Sequence, residues 1–280
     1  SLPDFDINKR KSISDKKYIN RATKGVYEFG SVFKTFTIAA GFDEKLIKPK
    51  QMFNNLEKKI NCGGRTISEY DEDLSQNLSV EEILINSGNI GSVRIGQKLG
   101  VEKIKNFLNQ IGILGNITFD ITEIGTPIPF NWGKCKLLTV SFGHGITTTL
   151  LQLAKGYAII SNGGYDIKPT LVKGENINYG KKRRVLSKDV SLKINKILRR
   201  VVTEGTASLA DVKGYDVGGK TGTALIVENG KYTKKKINTF ASIFPSNEPR
   251  YVLIVMLEDT KLSKDYVYNY RNKPGSFVGT

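Results

Sequence analysis

The sequence predicts an α+β fold, a helical block followed by an antiparallel sheet. Three observations carry the prediction. Residues 31–40 include Val32, Phe33, Phe36, Ile38 and Ala39. They are apolar on most sides, as in a helix buried at the centre of a domain. Residues 101–111, 149–161 and 187–202 place apolar side chains at helical spacing, so each presents one apolar face. Beyond residue 218 the pattern changes. Residues 220–227, 238–244 and 250–257 read as strands, separated by Glu228-Asn229-Gly230 and by Pro245-Ser246-Asn247-Glu248-Pro249.

Each element has a local reason. Residues 1–30 read as loop and extended chain, punctuated by Pro3, Asp4, Asp6 and Asn8, with a basic polar run to Lys17. Ser31 opens the buried helix and Gly41 is its expected stop. Residues 42–78 are mixed, with turn signals at Pro49, Asn54-Asn55 and Gly63-Gly64. Ser79-Val80-Glu81-Glu82 is a capping box that starts a helix ending at Ser87-Gly88-Asn89. A helix over 90–99 ends near Gly100, and Val101–Ile111 forms another. Residues 112–136 are loop-rich, with Gly125, Pro127, Pro129 and Gly133. Asn162-Gly163-Gly164 ends the helix over 149–161, and Ser187 caps the next. The run Tyr251-Val252-Leu253-Ile254-Val255-Met256 predicts a strand buried on both faces.

Composition narrows the function classes. The chain has 280 residues, 39% hydrophobic and 25% charged, an ordinary globular balance able to bury a large core. No apolar run approaches the ~18 residues that a membrane helix needs. Ser1–Asp6 lacks the basic and apolar regions of a signal peptide, and because the first residue is not Met a fragment or processed chain is expected. The net charge of +16 is spread along the chain, with its densest runs at Lys181-Lys182-Arg183-Arg184 and Lys234-Lys235-Lys236. No nucleic-acid signature accompanies it, so nucleic acid is not an expected partner. A solvated basic surface explains the charge, and attraction to an anionic polymer or anionic lipid heads is the sharper alternative. Cys62 and Cys135 have no C-x-x-C or Cys/His ligand cluster around them, so a zinc site is not expected. Two buried free thiols are the first expectation, with a disulfide in an oxidising compartment as the alternative.

Three short motifs carry chemistry. Ser31-Val32-Phe33-Lys34 is an S-x-x-K. Residues three apart share a helix face, so the hydroxyl and the amine point into one space. The amine serves as a base only if burial or nearby cations bring its pKa toward neutrality. Ser87-Gly88-Asn89 is an S-x-N at a helix end, and Lys220-Thr221-Gly222-Thr223 is a K-T-G-T at the start of a strand. Each is common alone; all three in this order form the set used by penicillin-binding proteins and class A β-lactamases.

The surrounding residues make the resemblance specific. Tyr27-Glu28-Phe29-Gly30-Ser31-Val32-Phe33-Lys34 resembles Y-E-P-G-S-x-F-K, and Glu82 to Gly91 resembles E-I-L-x-x-S-S-N-I-G. Ser141-Phe142-Gly143-His144-Gly145, Leu151-Gln152-Leu153-Ala154, Asn162-Gly163-Gly164 and Val202 to Ala207 match further segments. Gly219 to Ala224 completes the match. The chain resembles the transpeptidase domain of class B penicillin-binding proteins of the cell-division type over essentially its whole length. It departs at Phe29 (usually Pro), at Gly88 (usually Ser) and at Thr149-Leu150, where proline is usual.

The resemblance implies an antiparallel sheet flanked by helices beside an all-helical subdomain that carries the S-x-N. It implies one domain over 1–280 that lacks the family's first strands and its C-terminal helix, leaving 250–257 as a sheet edge. It implies a serine acyltransferase acting on peptidoglycan stem peptides and acylated by β-lactams, without cofactor. Ser31 would be the nucleophile and Lys34 its base, helped by repulsion from Lys220. Ser87 would relay a proton, and Asn89 would bond Lys34 or the substrate. The backbone N–H groups of Ser31 and Thr223 would form an oxyanion hole. Lys220, Thr221 and Thr223 would bind the substrate carboxylate, and Gly222 would leave room for the peptide. A division glycosyltransferase and divisome proteins are the implied partners, and the periplasmic side of an anchored inner-membrane protein is the implied place. Hydrolysis of the same acyl-enzyme (a β-lactamase or D,D-carboxypeptidase) and a non-catalytic β-lactam sensor are the alternatives. Glu123 lacks the E-x-x-L-N context of a β-lactamase base and reads as a loop carboxylate. His144, the lone histidine, lies between two glycines and reads as a loop element near the cleft.

Overall fold

The structure is a computed structural model describing residues 6–9, 18–174, 183–260, 267–270 and 273–276. The first described element is a short 3-10 turn, Ile7–Lys9. β1 (Val26–Tyr27) leads into a 3-10 turn, Gly30–Phe33, which runs on into α1 (Lys34–Asp43). Ser31 therefore sits in the 3-10 turn rather than in an α-helix. With about three residues per turn, positions i and i+3 eclipse, which still aligns Ser31 with Lys34. Every residue of α1 from Lys34 to Phe42 is buried. Gly41 does not stop this helix. A Cβ there would fall 2.6 Å from Ile47 Cδ1, so the glycine makes room for that side chain while the helix continues to Asp43.

Residues 42–78 hold more structure than their turn signals predict. β2 (Met52–Phe53) comes first, then β3 (Lys59–Cys62) and β4 (Arg65–Ser68), which form a hairpin, and β5 (Leu78–Ser79), which pairs with β2. The region around Ser87 is thus helical with two strand pairs added. α2 (Val80–Ile85) begins with the predicted capping box, Ser79 with Glu82. α3 (Asn89–Gln110) is broken at Gly100, whose φ of 75° is outside the helical range. α4 (Lys134–Val140) falls in and just beyond the stretch read as loop. β6 (Thr148–Thr149) pairs with β1. α5 (Leu150–Ser161) and α6 (Lys188–Thr203) follow close to the predicted bounds.

The main sheet is antiparallel, in the order β7 (Gly218–Glu228), β8 (Lys231–Phe244) and β9 (Tyr251–Glu258). Asn229 (φ 51°) and Gly230 (φ 74°) make the tight turn between the first two. β10 (Val267–Tyr270) and β11 (Lys273–Ser276) pair separately. α6 packs on β7, and α5 on β8 and β9. β9 is not buried on both faces. Val252, Ile254 and Met256 face the core, while Tyr251, Leu253, Val255 and Leu257 are exposed. An unbroken apolar run does not specify two-sided burial, because one layer of helices covers only one side of a sheet.

Cys62 and Cys135 are joined in a disulfide, with Cα atoms 5.5 Å apart, which corrects the expectation of free thiols. Their partnership depends on the β3–β4 hairpin folding back onto α4, a contact between segments distant in sequence.

Candidate active site

The Ser31 turn and the β7 strand touch through backbone. Gly30 has φ +59°, in the left-handed region, and a Cβ there would fall 2.2 Å from the Thr223 oxygen and 3.2 Å from the Thr223 nitrogen. A Cβ at Gly222 would fall 2.2 Å from the Phe29 oxygen. The glycine read as room for substrate is thus required by the approach of the Ser31 turn itself. The two glycines bring the backbone of the Phe29–Val32 turn against that of Gly222 and Thr223. β7 is an outer strand of its sheet among the described residues, so its free edge runs past Ser31.

Two buried amines meet on one hydroxyl. Lys34 Nζ donates to the Ser87 backbone oxygen at 2.5 Å and lies 3.1 Å from Ser87 Oγ. Lys220 Nζ lies 3.0 Å from the same Oγ and 3.0 Å from the Thr221 carbonyl oxygen. Both lysines have zero relative exposure. Burial lowers the pKa of Lys34 to about 7, against a smaller upward pull from Glu69. Burial also lowers Lys220 well below its ordinary value, and the charge of Lys34 adds to that. Desolvation, rather than the expected repulsion from Lys220, brings the Lys34 pKa to about 7. Ser87 is held at φ +60°, a conformation that costs a serine about 1 kcal/mol or more. The bend between α2 and α3 sets it there.

Asn89 Nδ2 donates to the Ser68 carbonyl oxygen at 2.8 Å, so the β3–β4 hairpin engages that end of the amide. Thr221 Oγ1 bonds Thr206 Oγ1 at 3.0 Å, and Thr223 Oγ1 lies 3.3 Å from Asn238 Oδ1. Ser31, Lys34, Ser87, Lys220, Thr221, Gly222 and Thr223 come together through the Ser31 turn, the α2–α3 bend and β7. Asn89 joins them through its place on α3.

Two carboxylates at the site, Glu69 and Glu28, were given no role by the sequence. Glu69 accepts from the backbone N–H of Asn89 at 2.6 Å and of Ile90 at 2.8 Å. Glu28 is buried; it accepts from Tyr232 Oη at 2.9 Å and from the Gly145 N–H at 2.9 Å. His144 stacks between Phe142 and Tyr232, with Nδ1 3.7 Å from Glu28 Oε2. Burial holds its pKa below the ordinary value. The loop expectation for His144 therefore stands, with a packing role beside the Ser31 turn. Glu123 accepts from the Asn20 N–H at 3.0 Å, which occupies it in holding the incoming chain. The acidic spacing around Ser87 gave no cue to Glu69, because the contact spans a hairpin and a helix start.

Chemically, the assembly can take a proton from a serine, hold a hydroxyl between two amines and align an extended peptide beside a strand edge. Among the described residues no cluster of His, Cys, Asp and Glu is fit to hold a metal. The family follows from the comparisons. Residues 1–274 match the penicillin binding protein transpeptidase domain, and the chain belongs to that family.

Individual relatives agree. The chain is 31% identical to a probable peptidoglycan D,D-transpeptidase FtsI of Caulobacter vibrioides, over 93% of this chain and 46% of that protein. It is 31% identical to stage V sporulation protein D of Bacillus subtilis, over 93% and 43%. Among solved structures, it superposes on the TP domain of Burkholderia pseudomallei penicillin-binding protein 3 with a TM-score of 0.80 and 27% identity, covering 86% of this chain and 73% of that one. Penicillin binding protein 3 from Mycobacterium tuberculosis, solved with aztreonam, gives a TM-score of 0.77 at 26% identity, covering 86% and 58%. The chain spans about half the length of the first curated relatives it matches. No described helix is long and apolar enough to cross a membrane.

Proposed function

We propose that this chain is a D,D-transpeptidase domain that crosslinks peptidoglycan stem peptides through an acyl-enzyme on Ser31 and is acylated there by β-lactams. The observation that carries the reading is the pair of buried amines on Ser87 Oγ, set beside the Ser31 turn and the free edge of β7. Lys34, brought to about 7 by burial, takes the Ser31 proton as Oγ attacks the penultimate D-alanine carbonyl. The carbonyl oxygen becomes negative between the N–H groups of Ser31 and Thr223. The C–N bond breaks, the leaving amine takes a proton relayed by Ser87, and D-alanine departs. The amine of a second stem peptide then attacks the ester, forms the crosslink and returns the proton to Ser31. Lys220, Thr221 and Thr223 hold the terminal carboxylate. Gly222 keeps β7 against the Ser31 turn, and Asn89 fixes the start of α3. Names among the relatives support this activity. By the same reasoning the domain works in the periplasm as part of an anchored inner-membrane protein, beside a division glycosyltransferase and divisome proteins.

Labelling with a fluorescent penicillin tests the reading. Stoichiometric labelling of the wild type, lost in Ser31→Ala, is expected, with no sustained nitrocefin turnover. Sustained turnover would replace the transpeptidase with a hydrolase. Absence of labelling, or labelling that survives Ser31→Ala, would remove Ser31 from its role.

A further inference from the structure

The S-x-N turn has a defect that another segment repairs. Gly88 is the N-cap of α3 and has no side chain with which to cap it. The first amides of α3, those of Asn89 and Ile90, donate instead to the two carboxylate oxygens of Glu69 at 2.6 and 2.8 Å. Glu69 reaches them from the end of β4, and the preceding residue, Ser68, accepts from Asn89 Nδ2 at 2.8 Å. The hairpin that presents both residues is bonded to α4 through Cys62–Cys135. A rigid arm thus grips the amides one and two residues beyond Gly88, and Ser87, on its other side, carries the hydroxyl shared by Lys34 and Lys220.

We infer that Glu69 is a positioning residue for acyl transfer: it supplies from outside the helix cap that Gly88 lacks, and so fixes Ser87 Oγ between the two amines. The inference rests on the function proposed above. Several features of the site fit it. Ser87 is in a left-handed conformation, which needs support from its neighbours to persist. Gly88 has φ −62°, and a Cβ there would meet nothing closer than 3.5 Å, so a serine fits at this position and could cap the helix itself. Lys34 is faced by Lys220 from β7, by Ser87 from the α2–α3 bend and by Glu69 from beyond β4, and Glu69 is the acidic member of that set.

The test measures the rate of acylation by a fluorescent penicillin against pH, with thermal melting on the same samples. In Glu69→Gln the plateau rate should fall about tenfold, the scale of a lost cap. Loss of the negative charge should also carry the acid limb to lower pH, because Glu69 holds the Lys34 pKa up. Adding Gly88→Ser to Glu69→Gln should restore the plateau at least threefold without returning the limb. Glu69→Asp, which keeps the charge with a shorter reach, should lower the plateau and leave the limb in place; it also serves if Glu69→Gln folds poorly. A merely structural role would lower the melting temperature and leave rate and pH profile alone, and that result overturns the inference. So would a Gly88→Ser double variant no faster than Glu69→Gln. A wild type that does not label would instead remove the proposed function.

Discussion

Replacing Lys34 with methionine should abolish acylation and yet stabilise the fold at low pH. Folding moves the Lys34 pKa from its ordinary 10.5 to about 7. At any pH below 7 the folded state therefore carries a penalty of about 5 kcal/mol that the unfolded chain avoids. The unfolded chain holds the proton up to about 10.4, and the folded chain only to about 7. Between these values the unfolded state binds more protons, so stability rises with pH across the window and is flat below it. Lys34→Met removes the penalty but deprives the Ser87 carbonyl of its donor, at a cost of about 1–3 kcal/mol. Lys220 still donates to Ser87 Oγ and is freed from the repulsion of Lys34. The variant should be more stable than wild type by about 2–4 kcal/mol at pH 6, with the gap closing by pH 9. Urea denaturation of both proteins at pH 6, 7.5 and 9 measures it. A gap that does not change with pH, or a methionine variant weaker at pH 6, would refute the reasoning.

Further outcomes follow from the structure. Gly30→Ala meets both a left-handed φ and the Thr223 carbonyl, and should cost about 3 kcal/mol and most of the acylation rate. Gly64→Ala, with φ +75° but open space, should cost only about 1 kcal/mol, and equal losses in urea melts would contradict the packing argument. Ser87→Ala should slow acylation by about a hundredfold in stopped-flow labelling, since the hydroxyl shared by the amines is gone. Cys62→Ser should lower stability by about 4 kcal/mol, because the bridge closes a loop of 73 residues. A reductant should then lower the melting temperature of the wild type and not of the variant.

The sequence made visible whatever is decided locally. The capping box at Ser79 and Glu82, the Ser187 cap and the Asn229-Gly230 turn depend on a few adjacent residues, and the structure holds all three. The three motifs were also legible as sequence. Their mutual geometry was not. Ser87 Oγ sits between Lys34 and Lys220 because the Ser31 turn packs on β7, and that contact is encoded by two absent Cβ atoms, at Gly30 and Gly222. Glu69 escaped notice, and the Cys62–Cys135 pairing stood only as the alternative, for a related reason. Each makes its contact across a hairpin whose strands, Lys59–Cys62 and Arg65–Ser68, are too short and polar to show a clear alternation.

The one-sided burial of β9 bears on how this protein behaves in concentrated solution. Tyr251, Leu253, Val255 and Leu257 form a row of exposed apolar groups on β9, an outer strand among the described residues, where two molecules could pair. The net charge of +16 opposes that encounter, since like-charged molecules repel before their strands meet. Salt shortens the range of this repulsion to about 10 Å at 0.1 M and about 3 Å at 1 M. Colloidal stability and ionic strength are therefore coupled: dilute buffer keeps the molecules apart, while concentrated salt lets the apolar row associate.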